Sequence, residues 1–173
     1  MEHNSFNWYA VYTRSNFEKR IRNWLSATSI EAYLPLKREL RQWSDRKKSV
    51  EEPLIKSYVF VKIAPKDYLS VLSTPGVVKF ISFAEKPVVI PEYQISIIRR
   101  LLADGDDLEI SAEVFEPGDP IEVISGKLMG LTGELIEVKG RKKVVIRIDQ
   151  LERSLLVNIS SKYLRRKLIV GVN

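Results

Sequence analysis

The sequence has no cysteine and only one histidine, His3, among its 173 residues. Without cysteine the chain can form no disulfide framework, thiolate nucleophile or cysteine-rich zinc site. This composition is consistent with a protein of a reducing compartment. His3 lies in a polar N-terminal stretch that should fray, so we expect it to be solvated rather than to act as a catalytic base or metal ligand.

Long apolar runs and catalytic motifs are also missing. No apolar run approaches the roughly 18 residues that span a bilayer. Residues 1–5 do not resemble the positively charged start of a secretory signal peptide, so we expect a cytoplasmic protein without a membrane partner. The spacing Gly126-x-x-x-Gly130-x-x-Gly133 lacks the Gly-Lys-Ser/Thr ending of a phosphate-binding loop, and no Ser-His-Asp arrangement is present. The sequence therefore predicts a non-enzyme with no cofactor, no catalytic residues and no metal site.

The charge is distributed in three zones along the chain, which has 28 basic and 22 acidic side chains. Residues 1–103 carry a net charge of +7, residues 104–115 carry −5 without a single base, and residues 116–173 carry +4. An acidic, glycine-containing segment between two basic segments is typical of a solvated linker. We therefore predict two domains, residues 1–103 and 116–173, joined by an acidic linker at residues 104–115.

The start of the first domain predicts a strand followed by a helix. Residues 7–13 are rich in aromatic and β-branched side chains and predict a buried strand. Ser15 and Glu18 have the spacing of a capping box, and the apolar stripe of the following helix is predicted to be Phe17, Ile21, Trp24 and Leu25. The opposite face is basic, with Lys19, Arg20 and Arg22; a solvated face and a nucleic-acid contact are equally good interpretations.

Further along, the pattern predicts a hairpin and a strong strand. The hairpin follows Pro35, with Leu40 and Trp43 as packing anchors and a basic tip at residues 45–48. Residues 54–63 form the strand, with Val59, Val61 and Ile63 on an aliphatic face and Tyr58, Phe60 and Lys62 on an aromatic face. An aromatic face of this kind is more often buried under a helix of its own domain than used for a partner.

The order of elements predicts an α+β first domain and an all-β second domain. Short helices at residues 68–72 and from Pro91 onward alternate with strands, which indicates a mainly antiparallel sheet flanked by helices. After residue 115 only short strands and glycines follow, which indicates a small closed barrel. Arg141, Lys142 and Lys143 form a predicted hairpin tip, where solubility is favoured slightly over RNA binding. The residues alone thus indicate a two-domain binding protein with an anionic partner favoured.

A set of short motifs follows in order along the chain. They are Trp8-Tyr9-Ala10-Val11 with Glu18-Lys19, then Pro53-Leu54-Ile55-x-x-Tyr58-Val59-Phe60-Val61, then Thr74-Pro75-Gly76-Val77-Val78-x-Phe80, and finally Phe115-Glu116-Pro117-Gly118-Asp119 leading into residues 121–135. In this order they resemble the NusG-like transcription elongation factors over nearly the whole length. The last segment resembles a KOW motif, which that family carries on an SH3-like C-terminal barrel and which ribosomal proteins also carry.

The resemblance implies a function and a set of contact residues. It implies that the first domain docks onto the clamp helices of the largest catalytic subunit of RNA polymerase and disfavours pausing or termination. By motif position, the docking residues are Tyr12, Leu54, Ile55, Tyr58 and Phe60. Arg14 and Arg20 match positions where specialised relatives contact non-template DNA, and Leu151 lies in the barrel region that contacts Rho or a ribosomal protein in housekeeping factors.

Departures from the family pattern bear on the subfamily. Lys56-Ser57 stands where many relatives have Pro-Gly, and Leu151-Glu152-Arg153 stands where housekeeping factors have Phe followed by Gly-Arg. These differences and the basic hairpin resemble an operon-specific paralogue of the RfaH or UpxY kind, which antiterminates surface-polysaccharide operons. The alternatives are a general NusG elongation factor, a KOW-type RNA-binding or ribosome-assembly protein and, for Leu151, a residue that only packs the barrel.

Overall fold

The computed structural model describes residues 5–43, 46–103, 108–111, 116–126, 128–138 and 140–167. The helices are α1 (Glu18–Ala27), α2 (Tyr68–Leu72) and α3 (Glu92–Ala103). The strands of the first half are β1 (Asn7–Thr13), β2 (Glu31–Tyr33), β3 (Leu36–Gln42), β4 (Lys47–Pro53), β5 (Tyr58–Ile63), β6 (Val77–Phe80), β7 (Ser82–Phe83), β8 (Lys86–Pro87) and β9 (Val89–Ile90). Those of the second half are β10 (Leu108–Ser111), β11 (Asp119–Val123), β12 (Thr132–Val138), β13 (Arg141–Ile148), β14 (Arg153–Val157) and β15 (Leu164–Arg166).

The chain divides into two compact units, with the division between Ile95 and Ser96. This point lies within α3, whereas the predicted boundary of the first domain is residue 103. The first unit combines helices with an antiparallel sheet, and the second consists of the last two turns of α3 followed by strands. The predicted α+β N-terminal domain and the strand-rich region after it are confirmed.

The main sheet of the first unit has five strands in the order β2-β5-β1-β6, with β9 also paired to β1. All of these pairings are antiparallel. The central position of β1 explains its burial, because a strand paired on both sides is shielded at its edges as well as on its faces. The predicted buried strand at residues 7–13 is confirmed, with only Tyr12 exposed near its end.

The core of the first unit lies between this sheet and α1. The aliphatic face of β5 contributes Val59, Val61 and Ile63, and α1 contributes Ile21 and Leu25. Alternation of side chains along β5 therefore separates an aliphatic face from an aromatic one, as the sequence predicts.

Two expectations for α1 are wrong. Its N-cap is Phe17, and no side chain caps the helix, so Ser15 and Glu18 do not form a capping box. Trp24 has 43% of its surface exposed and is not part of the buried stripe. The buried face of α1 is narrower than predicted, because Ile21 and Leu25, one turn apart, are the α1 residues that pack in the core against the sheet.

The predicted hairpin is confirmed as the antiparallel pair β3–β4, but its packing anchors are wrong. Leu40 is 77% exposed and Trp43 is 56% exposed. Among the described residues these two strands pair only with each other, so Leu40 and Trp43 belong to a two-stranded ribbon rather than to the main sheet.

The second unit is a six-stranded antiparallel sheet in the order β10-β14-β13-β12-β11-β15. Its core is formed by alternating aliphatic side chains, among them Ile121, Val123, Val144, Ile148 and Leu155. One of its strands, β10, lies inside residues 104–115, which are predicted to be a linker. Residues 108–111 pair with β14 there, and the remainder of the predicted linker, residues 104–107 and 112–115, lies outside the described residues.

Two kinds of feature are absent from the described part of the chain. Among these residues, no helix is long and apolar enough to cross a membrane. Within the same residues, no group of three or more His, Cys, Asp or Glu side chains is placed to hold a metal ion. His3 lies outside the described residues.

Candidate functional site

The aromatic face of the main sheet holds the candidate docking residues. In the strand register, Tyr12 lies opposite Tyr58, and Phe60 lies between Ala10 on one side and Tyr33 on the other. Directly paired residues of antiparallel strands project from the same face. The sheet therefore brings Tyr12, Tyr58 and Phe60 onto one surface, opposite the aliphatic core.

One end of this aromatic face is covered. Phe60 is fully buried and stacks on Tyr33, with ring centroids 6.2 Å apart and planes 28° from parallel. Trp8 is also buried, and its indole Nε1 donates a 2.8 Å hydrogen bond to Glu92 Oε2 at the start of α3. Lys62 Nζ lies 3.0 Å from the same carboxylate oxygen. At this end the sheet follows the more common pattern, an aromatic face closed off inside its own domain.

The other end of the face is open. Tyr12 is 38% exposed and Tyr58 is half-buried. Their rings meet edge to face, with centroids 5.5 Å apart and an interplanar angle of 71°. An exposed aromatic pair held by two paired strands is a preorganised apolar contact with hydroxyl groups at its rim. We call Tyr12 and Tyr58 the tyrosine pair.

The remaining predicted docking residues lie below the surface. Leu54 and Ile55, in the loop between β4 and β5, are 8% and 2% exposed. The backbone N–H of Leu54 donates to the carbonyl of Pro35 at 2.8 Å, which ties this loop to the start of β3. Within the predicted docking set, the tyrosine pair is accessible, whereas Leu54, Ile55 and Phe60 are buried.

The predicted DNA-contacting arginines lie around the β1–α1 loop. Arg14 and Arg20 are both exposed. The Arg14 backbone N–H donates to the carbonyl of Gly76 at 2.8 Å, and the Arg20 guanidinium lies 5.6 Å from the centre of the Phe17 ring. Gly76 has a φ of +91°, and a Cβ there would lie 2.6 Å from the Phe17 ring, so glycine allows this close approach. Neither arginine forms an ion pair with another residue of the described ranges.

Comparison with known proteins decides the family. Residues 6–99 match the family model described as "Transcription termination factor nusG". The chain belongs to the NusG family. The matched residues include both strands that carry the tyrosine pair and the loop that carries Arg14, but not Leu151.

Relatives of the NusG family align along most of the chain. The Pseudomonas aeruginosa protein named "Transcription termination/antitermination protein NusG" is 28% identical over 147 residues, which is 78% of this chain and 83% of the relative. The Bacillus subtilis protein of the same name is 27% identical, over 88% of this chain and 94% of the relative. The solved structure "Domain interaction in Thermotoga maritima NusG" is 25% identical, with a TM-score of 0.54, and covers 94% of this chain and 97% of that one.

The turn before β5 contains a serine in a left-handed conformation. Ser57 has a φ of +63°. Its N–H donates to Glu18 Oε1 at 2.8 Å, and its carbonyl accepts a hydrogen bond from Thr13 N–H at 2.9 Å. These two hydrogen bonds hold the turn while Ser57 is in the left-handed conformation. Sequence reasoning missed this role of Glu18, because the only local signal was its capping-box spacing.

Leu151, which the sequence resemblance predicts as a barrel contact residue, is buried. It is 4% exposed and ends a short 3₁₀ turn, residues Asp149–Leu151, that precedes β14. The following Glu152 has a φ of +51°. This burial agrees with the packing interpretation of Leu151.

The second unit contains an ion pair between Arg147 on β13 and Glu134 on β12. Arg147 Nε lies 2.8 Å from Glu134 Oε1, and the Gly118 N–H donates to Glu134 Oε2 at 2.9 Å. The hydrogen bonds from Arg147 lower the pKa of Glu134; partial burial acts in the opposite direction, and the Gly118 N–H lowers it further. This ion pair connects β12 to β13 and to the segment that leads into β11.

Proposed function

We propose that this chain is a transcription elongation and antitermination factor that binds RNA polymerase through the tyrosine pair. The observation that carries the proposal is the position of Tyr12 and Tyr58, the accessible end of an otherwise buried aromatic face in a NusG-family domain. The partner surface is the pair of clamp helices of the largest catalytic subunit. An amphipathic helix pair supplies the apolar ridge that such an aromatic patch binds.

The affinity would come from a few anchors. Truncation of an aromatic anchor at the centre of an interface costs roughly 2 to 4 kcal/mol, whereas its neighbours contribute mainly by excluding water. Phe60, Leu54 and Ile55 are buried, so their contribution would be to the stability of the domain that carries the tyrosine pair rather than to direct contact with the partner. By bridging the cleft of the polymerase, the bound factor would hold the clamp closed. It would favour the elongating state because its affinity for that state is higher. The polymerase performs the chemistry, in the cytoplasm, and this chain needs neither catalysis nor a cofactor.

Non-template DNA is the second proposed contact of the first unit. Arg14 and Arg20 are exposed and have no ion-pair partner in the described part of the chain, so both are available to phosphates. Phosphate contacts would position the strand without reading its sequence.

We propose further that the role is specialised, on long operons such as surface-polysaccharide operons. Support comes from the departures noted in the sequence. Ser57 takes a left-handed conformation where the motif of many relatives has glycine, and the buried Leu151 and left-handed Glu152 stand where the housekeeping pattern has Phe followed by Gly. A barrel contact with Rho or a ribosomal protein would then use other residues. The names of the aligned relatives favour a general NusG factor as the second candidate.

Binding of the full chain to core RNA polymerase at two salt concentrations, with free RNA as competitor, tests the proposal. We expect salt-tolerant binding that Tyr58→Ala reduces at least about tenfold. Tyr93→Ala is the matched control, because Tyr93 is 62% exposed at the start of α3, outside the aromatic face. Salt-sensitive binding to RNA that ignores Tyr58 would instead support a KOW-type RNA-binding or ribosome-assembly protein.

A further inference from the structure

The β3–β4 ribbon has longer edges than the other sheets of the described chain. Both of its strands have seven residues. The strands at the two ends of the larger sheets, β2, β6, β10 and β15, have three or four residues each. A short edge strand offers little backbone to another chain, whereas a long one is a template for further pairing. Pairing through the backbone is therefore favoured most strongly at the ribbon.

The hydrogen bonds within the ribbon determine which backbone groups of β3 point outwards. The Trp43 N–H donates to the Arg46 carbonyl at 2.8 Å, so these two residues form a hydrogen-bonded pair. Hydrogen-bonded and non-hydrogen-bonded pairs alternate along an antiparallel ladder. In the observed register, Leu40 and Ser49 are therefore a non-hydrogen-bonded pair, and the N–H and C=O of Leu40 point away from β4. The same holds for the residues two positions before and after Leu40.

The outer edge of β4 is already in use. By the same alternation the Glu51 carbonyl points away from β3, and it accepts a 2.6 Å hydrogen bond from Lys19 Nζ of α1. Pro53 ends the strand and has no N–H to donate. Among the described residues, β3 pairs with β4 alone, and Leu40 at the centre of β3 is 77% exposed. The accessible edge of the ribbon is therefore that of β3.

The charges of β3 are complementary to those of a second β3 in one register. A two-fold axis at Leu40 makes two copies of the strand antiparallel and sets Glu39 of each copy directly opposite Arg41 of the other. These residues then form non-hydrogen-bonded pairs, whose side chains lie closest together and whose opposite charges attract. An axis at Glu39 or at Arg41 would instead place two like charges opposite each other. The charge pattern therefore selects the register centred on Leu40.

Ion pairs within the ribbon leave these side chains available. Glu39 Oε1 lies 3.8 Å from Lys37 Nζ, and Arg41 Nη2 lies 2.5 Å from Glu52 Oε1. The side chains of Glu39 and Arg41 are 47% and 54% exposed. Exposed ion pairs contribute little to stability, and a carboxylate can accept hydrogen bonds from two partners. The contacts within one chain therefore compete only weakly with those between two chains.

We propose that two copies of this chain associate through the free edges of β3, antiparallel about an axis at Leu40. The N–H of Leu40 in each copy donates to the Leu40 carbonyl of the other, and the two ribbons become one four-stranded sheet. A two-stranded ribbon is marginally stable alone, so this sheet also stabilises the ribbon. The contact is small beside the roughly 1,600 Å² of a standard interface, so the dimer is weak and depends on concentration. The inference does not rest on polymerase binding.

Sedimentation velocity of the full chain at concentrations from about 1 μM to 1 mM tests the proposal. We expect the mass to rise from that of one chain to that of two. Glu39→Arg and Arg41→Glu should each abolish the dimer over this range, because each places like charges opposite each other on both sides of the axis. An equimolar mixture of these two variants should dimerise again, because the reversed charge of each variant then faces an opposite charge on the other.

Leu40→Pro tests the backbone pairing. Proline removes an N–H that points away from β4, so the ribbon keeps its own hydrogen bonds while the dimer loses two. Lys86→Glu is the matched control, because Lys86 is exposed on β8 and its reversal changes the net charge as much as Arg41→Glu does. Lys86→Glu and Tyr58→Ala should both dimerise like the wild type, so a failure of polymerase binding and a failure of this inference give different results.

Three results would overturn the inference. One is a wild-type chain that keeps the mass of a single chain at the highest concentration. A second is a dimer that persists in Glu39→Arg, Arg41→Glu or Leu40→Pro, and a third is a mixture of the two charge-reversal variants that does not dimerise. Thermal unfolding of each variant confirms that the fold is intact.

Discussion

The carboxylate of Glu18 accepts a hydrogen bond from the backbone N–H of Ser57, at a distance of 2.8 Å. Glu18 is 4% exposed and stands in the first turn of α1, where a negative charge also interacts favourably with the helix dipole. Ser57 has a φ of +63°, a conformation that costs an L-residue about 1 kcal/mol or more. This one contact links the start of α1 to the turn that leads into β5, and therefore to the strand that carries Tyr58.

We predict that Ser57→Gly stabilises the first unit by about 0.5 to 1 kcal/mol. Glycine removes the strain of the left-handed conformation, and this gain exceeds the additional flexibility of the unfolded chain. Thermal unfolding measures the change, with an expected rise of a few degrees. Ser26→Gly is the matched control, because Ser26 is an exposed residue of α1 and should lose about 0.5 kcal/mol. Equal shifts in both variants would contradict the strain argument.

Glu18→Ala should destabilise the first unit by about 1 to 3 kcal/mol. The change leaves the Ser57 N–H without its acceptor in a poorly hydrated position and removes a favourable charge from the helix N-terminus. Glu18→Gln keeps an acceptor oxygen and should lose less. Chemical denaturation of the three proteins gives the order wild type, Gln, Ala, and an Ala variant as stable as the Gln variant would show that the hydrogen bond contributes little.

The sequence predicts those parts of the fold that depend on local pattern. Alternation along residues 58–63 separates the two faces of β5 correctly, because side chains of a strand alternate wherever the strand lies. The exposure of Leu40 and Trp43 depends instead on whether a second layer covers the ribbon, and no local pattern encodes that.

In the candidate site, too, local features could be predicted from the sequence and long-range contacts could not. The shared face of Tyr12 and Tyr58 is implied by strand alternation and family motif, whereas the full burial of Phe60 depends on Tyr33, which comes from another strand. The contact between Glu18 and Ser57 joins residues 39 positions apart, and sequence spacing gave no sign of it.

Phe60→Ala and Tyr58→Ala should have different effects. Phe60 is fully buried and stacked on Tyr33, so its truncation should cost about 3 to 5 kcal/mol and lower the melting temperature of the first unit. Tyr58 is half-buried at the open end of the face, and its truncation should cost less than about half as much. Calorimetry of the two variants measures this contrast. A Phe60→Ala protein with wild-type stability would show that Phe60 is not a core residue.

Acid should weaken the second unit through Glu134. Its pKa is lowered in the folded state, mainly by the hydrogen bonds from Arg147, so its contribution to stability is fully present above the unfolded pKa of about 4.3 and is lost as the pH falls through the folded pKa. Glu134→Gln should cost about 1 kcal/mol at pH 7, because the pair is partly exposed, and almost nothing near pH 2. Denaturation across this range measures the difference. Glu137→Gln, exposed on the same strand, should leave the pH dependence unchanged.

Arg14→Ala combined with Arg20→Ala should weaken the retention of this protein on paused elongation complexes, and the effect should depend on salt concentration. Binding releases fewer counterions when a phosphate contact is lost. The slope of log K against log salt should therefore become shallower by roughly 0.7 for each lost contact with a single strand. Lys66→Ala combined with Lys86→Ala removes the same charge from exposed positions outside the β1–α1 loop and should change the slope little. Retention measured at several salt concentrations separates the two cases. Identical slopes in both double variants would mean that Arg14 and Arg20 act only through the net charge of the protein, and that the DNA follows another path across it.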